Sequence, residues 1–200
     1  MAKTILITSG KGGVGKSSTS ANLAATFAAL GYDTAAIDAD IYGFSLPRLF
    51  GTHSQPTNLN GMLMPVTAWG VKLMSIGMFA GSDRAILWRG PRLQRSLEQF
   101  LADVWWGEPD VLILDEPTRG IDVGAKAEIQ RLMLERCRDG VSVIFISSEL
   151  DEIIRCSNRI VVMRDRQKVA EVDGATCTQQ DILNIIAEGS AAVNMKEANA

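Results

Sequence analysis

The stretch GKGGVGKS at residues 10–17 limits the possible folds of this chain more than any other part of it. It fits the spacing G-x-x-x-x-G-K-[ST], with Gly10 first, Gly15 and Lys16 next and Ser17 last. The β-branched run TILIT precedes it at 4–8, and KSSTSANLAATFAAL follows at 16–30 before Gly31. A strand, a glycine loop and a helix in that order form the context a phosphate-binding loop requires. Gly10, Gly12, Gly13, Val14 and Gly15 are expected to turn consecutive backbone N–H groups inward, while the helix starting near Lys16 aims its positive end at the same anion. Lys16 is expected to reach the β- and γ-phosphates and the Ser17 hydroxyl to ligate Mg²⁺. Ser18 is either a nucleotide contact or a residue of the first helical turn.

TAAID at 34–38 reads as a second buried strand, which makes the N-terminal segment a βαβ unit and implies parallel pairing of its two strands with a right-handed crossover. VKLMSIG (71–77), DVLILD (110–115) and VSVIFIS (141–147) supply three more strands, and the apolar run of 110–115 suggests burial on both faces. Helices are predicted after Gly90, where Leu93, Leu97 and Leu101 recur at helical spacing, over 123–139, and in the short ELDEIIRCS stretch. RIVVM and KVAEV flank RDRQ as an edge hairpin. The helix at 178–189 opens with a capping box between Thr178 and Asp181. Residues 41–70, with three prolines and several glycines, read as a long loop with room for a helical turn, and 190–200 as a flexible tail.

At 46% hydrophobic, 200 residues fit one domain, taken as 1–189. Residues 1–110 carry 9 basic and 8 acidic side chains and 111–200 carry 11 and 15, so no nucleic-acid partner is expected. Cys137, Cys156 and Cys177 are too far apart for a CxxC pair and read as reduced, packed thiols of a cytoplasmic protein. His53, in a polar loop, is incidental. No apolar run reaches about 18 residues, so no intrinsic membrane segment is expected.

A lysine at position 11 is not demanded by the general pattern. The form KGGVGKS resembles the deviant Walker A loop of the MinD, ParA and Mrp-type ATPases, and the likeness to the Mrp-type members continues through DADIYGFSLPRLFG (38–51), MSIGMF (74–79), WRGP (88–91) and LEQFLADVWWGEPDVLILD (97–115). The resemblance implies ATP and Mg²⁺ as cofactors and Lys11 reaching the phosphates, commonly across a nucleotide-sandwich homodimer. It also implies Asp38 near Mg²⁺ and Asp40, in the first switch, orienting the attacking water. Independently, two carboxylates at the end of a parallel strand beside a phosphate loop are costly unless they face a cation or a polar cleft. The alternative is that these acids only cap the following turn.

After Asp115 the character changes. EPTRGIDVGAKAEI (116–129) and VIFISSELDEIIRCSNRIVVM (143–163) resemble the second nucleotide-binding domain of bacterial sugar-importing ABC ATPases, through the KVAEVDG hairpin to about residue 189. The chain thus looks like a fusion of an Mrp-like portion, 1–115, with an ABC-like portion, 116–189, joined at a strand ending in an aspartate that both families share. Asp115 can hold Mg²⁺ in either family. By the ABC resemblance Glu116 polarises the attacking water, Asp122 of the D-loop faces a partner, and Ser148 takes the place of the switch histidine, unless it merely caps the next helix. No LSGGQ signature precedes Asp115, so an ABC-type dimer would lack the element that closes on the opposing nucleotide. The paired C-terminal cysteines of iron–sulphur carriers are absent from this sequence, so an iron–sulphur cluster is not expected.

The expected architecture is a three-layer α/β P-loop NTPase domain, mostly parallel, with an antiparallel C-terminal edge hairpin. The strand ending at Asp115 is expected beside the phosphate-loop strand, as in the Mrp class. The alternative inserts the 141–147 strand between them and is expected to displace Asp115 by about 4.8 Å, enough to spoil Mg²⁺ geometry. The expected chemistry is Mg²⁺-dependent ATP binding with slow hydrolysis. The alternatives are an ABC-type transporter module and a chimeric fold that binds nucleotide without catalysis.

Overall fold

The computed structural model describes residues 4–8, 15–40, 43–79, 91–164 and 167–188. Gly10, Lys11, Gly12, Gly13 and Val14, residues 88–90 of the WRGP stretch and the tail from 190 lie outside the described residues. The chain starts with β1 (Thr4–Thr8), α1 (Lys16–Ala29) and β2 (Thr34–Asp38). A one-turn helix α2 (Leu46–Leu49) follows, then β3 (Thr57–Leu59), β4 (Met62–Met64), β5 (Val66–Ala68) and β6 (Val71–Ser75). Next come α3 (Pro91–Ala102), β7 (Val111–Asp115), α4 (Val123–Arg138), β8 (Ser142–Ser147) and α5 (Leu150–Cys156), and the chain closes with β9 (Arg159–Arg164), β10 (Gln167–Asp173) and α6 (Gln179–Glu188).

Eight strands form one sheet in the order β10-β9-β1-β8-β7-β2-β6-β5, parallel except for the edge strands β10 and β5. Side chains alternate between the faces of a strand, and two cores result. Ala36, Ile113, Ile144 and Ile146 pack with Ala21 and Ala24 of α1 on one face. Ala35, Ile37, Leu112, Leu114, Val143 and Phe145 pack with Leu97, Ile129, Ile153 and Ile182 of the other helices on the opposite face. The chain is therefore the expected three-layer α/β P-loop NTPase fold, with its C-terminal antiparallel hairpin at β9–β10.

The strand order corrects two expectations: β1 and β2 run parallel but do not pair, because β8 and β7 lie between them, and β7 is not beside β1. β8 lies between β1 and β7, pairing in parallel with β1 from Thr4↔Val143 to Thr8↔Ser147 and with β7 from Val111↔Ser142 to Asp115↔Ile146. β7, α4 and β8 form one local crossover unit, and consecutive parallel strands usually pair. The Glu116 N–H also donates to the Ile146 carbonyl at 2.8 Å, carrying the β7–β8 ladder past Asp115. β7 keeps β2 on its other side, so only the edge toward β1 was available, and the neighbour in sequence took it.

The 41–70 stretch contains the helical turn but is not otherwise irregular. β3 and β4 form a small hairpin, and β5 adds antiparallel to β6. Asn60 and Trp69, with φ of 55° and 54°, each precede a glycine that also has positive φ, making two tight turns. In both turns the residue before glycine adopts αL, and prolines elsewhere in the stretch masked the short strands between. The capping box of α6 forms as expected, with Thr178 N–H donating to Asp181 Oδ2 at 3.1 Å and Asp181 N–H to Thr178 Oγ1 at 3.2 Å.

Candidate functional site

A cleft of about 530 Å³ opens at the C-terminal ends of the central strands, lined by Lys16, Ser17, Ser18, Asp40, Glu116 and Arg119, with Phe44 and Arg48 at one side. Open parallel sheets place their sites at this end. One wall is the start of α1. Gly15, at φ 95°, turns the chain into the helix in a left-handed conformation that suits glycine. The free N–H groups of the first turn then face the cleft.

Below the cleft two acids are buried together. Asp38 and Asp115 are register partners on β2 and β7, and alternation puts both on the α1 face, two residues beyond Ala36 and Ile113. Both are fully buried. Asp38 Oδ2 accepts from the Ser45 and Leu46 N–H groups at 2.9 Å each and from Ser75 Oγ at 3.3 Å, so this oxygen caps α2. Its Oδ1 has no hydrogen-bond partner. Burial pushes the Asp38 carboxyl up to about 7, with Asp115 adding repulsion against the pull of the backbone N–H groups.

Asp115 faces the Ser17 and Ser20 hydroxyls across the start of α1. Burial raises its pKa to about 6, the two hydroxyls lower it, and Glu116 and Asp40 raise it again. Neither carboxylate oxygen completes a hydrogen bond of normal geometry. The Ser20 hydroxyl is directed to the Lys16 carbonyl at 3.2 Å, which leaves its contact with Asp115 weak. The inserted strand therefore has not carried Asp115 away from the loop helix. α1 crosses the sheet to pack on β7 and β2, so its first turn stands over the end of β7.

The other wall is the turn after Asp115. Glu116 has φ 52°, a strained conformation for a non-glycine residue of the kind concentrated at functional sites. It is buried, its Oε1 is 3.2 Å from Lys16 Nζ, and its Oε2 accepts from the Ser148 hydroxyl at 3.1 Å and the Ser148 N–H at 3.3 Å. Ser148 thus holds Glu116 rather than capping α5, whose N-cap is Glu149. Asp40 is paired with Arg119, Nη1 to Oδ2 at 2.6 Å. Asp122, expected to face a partner, caps α4 by accepting from the Ala125 N–H at 3.0 Å.

Three contributors were missed in the sequence. Arg119 was read only as part of a D-loop match. Glu152 looks like an ordinary polar residue of a short helix, yet it is buried, accepts from Thr118 Oγ1, lies 3.4 Å from Ser147 Oγ and is 3.3 Å from Lys126 Nζ. It fastens the turn after Asp115 to α4 and β8. Arg48 adds a cation at the rim. No periodicity marks these residues, because what places them is contact between distant segments.

The donor set fits a magnesium ion. Asp115 offers two buried oxygens and Asp38 one that have no hydrogen-bond partner among the described residues, beside the Ser17 hydroxyl. Among the described residues no three His, Cys, Asp or Glu side chains converge into a metal cage. Mg²⁺ does not need one, since it is usually held by one or two carboxylates, with phosphate oxygens and water completing the shell. Among the described residues Cys137, Cys156 and Cys177 form no disulfide. No described helix is long and apolar enough to cross a membrane.

A mostly parallel sheet between helical layers, with a polar cleft at the strand ends beside a loop-to-helix turn, defines a P-loop NTPase. The chain belongs to the ParA family described as NUBPL iron-transfer P-loop NTPase, whose model matches residues 1–136. An iron–sulfur cluster carrier protein of Mycobacterium tuberculosis is 47% identical over 123 residues, 62% of this chain and 32% of that protein. One of Bacillus subtilis is 44% identical over 135 residues, 68% and 38% of the two chains. One of Rickettsia felis is 38% identical over 152 residues, 76% and 46%. The chain thus spans less than half the length of these relatives. An ATP-binding subunit of an ABC transporter superposes with a TM-score of 0.53 at 15% identity, over 92% of this chain and 88% of that one. A dimeric ATP-binding cassette in a post-hydrolysis state bound to ADP and Pi gives 0.51 at 13%, over 88% and 87%. At such identities the likeness concerns the fold alone.

Proposed function

We propose that this chain binds Mg²⁺–ATP in the cleft between α1 and the 116–122 turn and hydrolyses it slowly, joining an Mrp-like portion (1–115) to an ABC-like portion (116–189). The observation that carries this reading is the buried Asp115 carboxylate, without hydrogen-bond partners among the described residues, facing Ser17 beside Lys16. Two buried acids with raised pKa values are unfavourable as anions until a cation joins them. Ser17, Asp115 and the free oxygen of Asp38 would hold Mg²⁺, which neutralises phosphate charge when bound. Lys16 and the first-turn N–H groups bind the phosphates, and Ser18 lines the same wall. By the motif, Gly10, Gly12, Gly13, Val14 and Gly15 extend the row of donors, and by the resemblance to the deviant Walker A loop Lys11 supplies a second cation across a nucleotide-bridged homodimer.

Either Glu116 or Asp40 orients the water. Glu116 is the better placed, since Ser148 and the backbone hold it and its other oxygen meets Lys16. Positioning of this kind dominates phosphoryl transfer. A second reading, an ABC-type module working with a membrane partner, is favoured by the position of β8 between β1 and β7. The test is titration with Mg²⁺–ATP together with a phosphate-release assay. Wild type should bind and Lys16→Ala should lose about 100-fold or more in affinity. Glu116→Gln should keep binding and lose turnover about 100-fold, whereas turnover untouched by Glu116→Gln and lost in Asp40→Asn would move the water to Asp40. Equal affinity of wild type and Lys16→Ala would remove the nucleotide reading.

A further inference from the structure

Two ion pairs line the cleft, one joining Lys16 of α1 to Glu116 of the facing turn and the other joining Arg119 of that turn to Asp40, just beyond β2. Lys16 meets Glu116 at 3.2 Å, and Arg119 meets Asp40 at 2.6 Å. Arg119 is the less obvious of the two cations, and its backbone is held by contacts along the turn. Its own N–H donates to the Glu116 carbonyl at 3.3 Å, the adjacent Thr118 is fastened to the buried Glu152, and Asp122 caps α4 just beyond. The 116–122 turn is thus tied at three points, and the Arg119 side chain, roughly half exposed, projects from it into the cleft that contains Lys16 and Ser17. A guanidinium on a fixed turn is suited to two-pronged contact with a phosphate.

We propose that Arg119 is a specificity-determining residue for the triphosphate, latched onto Asp40 without nucleotide and exchanging that carboxylate for the terminal phosphate when ATP enters. This rests on the reading of the cleft as a nucleotide site. Lys16 and Arg119 lie on opposite walls, so a terminal phosphate between them is contacted from both sides, while a diphosphate is held from the α1 wall alone. Asp40 competes for the same guanidinium, so it opposes triphosphate binding through this contact. Arg119→Ala and Asp40→Asn should therefore act in opposite directions. A turn that served only to brace Asp40 would make them act alike.

The experiment measures the affinities of Mg²⁺–ATP and Mg²⁺–ADP for wild type, Arg119→Ala, Arg119→Lys and Asp40→Asn, with Lys16→Ala as the control for the site itself. Arg119→Ala should weaken ATP by about 10-fold to 100-fold and change ADP by less than about twofold. Arg119→Lys should recover part of the loss, and Asp40→Asn should leave ATP affinity equal or tighter. Equal losses for ATP and ADP in Arg119→Ala, or an Asp40→Asn variant as weak for ATP as Arg119→Ala, would overturn the proposal while the nucleotide site stood. Wild type binding neither nucleotide better than Lys16→Ala would overturn both.

Discussion

The α1 wall of the cleft is held in place by its own backbone, whereas the 116–122 wall is held by side chains from three other elements. Gly15 turns into α1 without help from a distant residue, and the first turn follows by helix geometry. The opposite wall depends on Glu152 of α5, Lys126 of α4 and Ser148 beyond β8, each brought in by the fold. Local order therefore sets the phosphate-binding side, and a buried polar network sets the side that would align water. Such networks are costly when only partly satisfied, so the second wall should be the more fragile.

The largest expected effect tests that fragility. Glu152→Ala removes the acid shared by Thr118, Ser147 and Lys126 and should cost about 3–5 kcal/mol in urea unfolding. A loss below about 1 kcal/mol would mean the walls do not differ as argued. Next comes pH. Burial pushes the Asp38 and Asp115 carboxyls in the folded chain up to about 7 and about 6, well above the ordinary aspartate value of 3.8. Folding thus favours their protonated forms, and this stability is full below about pH 4 and lost as pH rises through 6 to 7. Asp115→Asn should flatten the fall by on the order of 2 kcal/mol between pH 4.5 and 7.5. Parallel stability–pH curves for the two proteins would count against the buried acid pair.

A smaller effect isolates the first wall. Gly15→Ala puts a side chain at φ 95°, where a Cβ meets no atom of the described residues within 4 Å. The cost should therefore be backbone strain alone, about 1–2 kcal/mol. Thermal melting would show it, and a much larger loss would mean that Gly15 is packed and not merely turned. Smallest is Ser148→Ala, which removes one donor to Glu116 while the Ser148 N–H remains. It should lower stability by about 1 kcal/mol or less. Phosphate release should fall further in proportion, because the loosened group is the one proposed to hold water.

Much of the fold was legible because it is written in short-range pattern. The buried strands at β2 and β7 announced themselves as apolar runs, α1 by its composition between two glycines, and α6 by Thr178 and Asp181. The short strands β3 to β5 were hidden because three-residue strands leave no periodicity, and turns such as Asn60-Gly61 were lost among prolines. Within the site, Lys16, Ser17, Asp115 and Glu116 were found by spacing and resemblance. Arg119 and Glu152 were not, because the first pairs with a residue 79 positions away and the second with one 34 positions away.

The sequence by itself determined the strand–helix–strand order of the start, the helix that opens after the glycine loop and the aspartate that ends β7, since each depends on neighbours along the chain. Only the tertiary structure decided that β8 would separate β1 from β7, that Asp38 would spend one oxygen capping α2, and that Arg119 would close on Asp40. These outcomes depend on which edges and charges meet once the sheet assembles. That competition is settled by hydrogen-bond ladders and desolvation across the whole fold, and no local window of residues contains it.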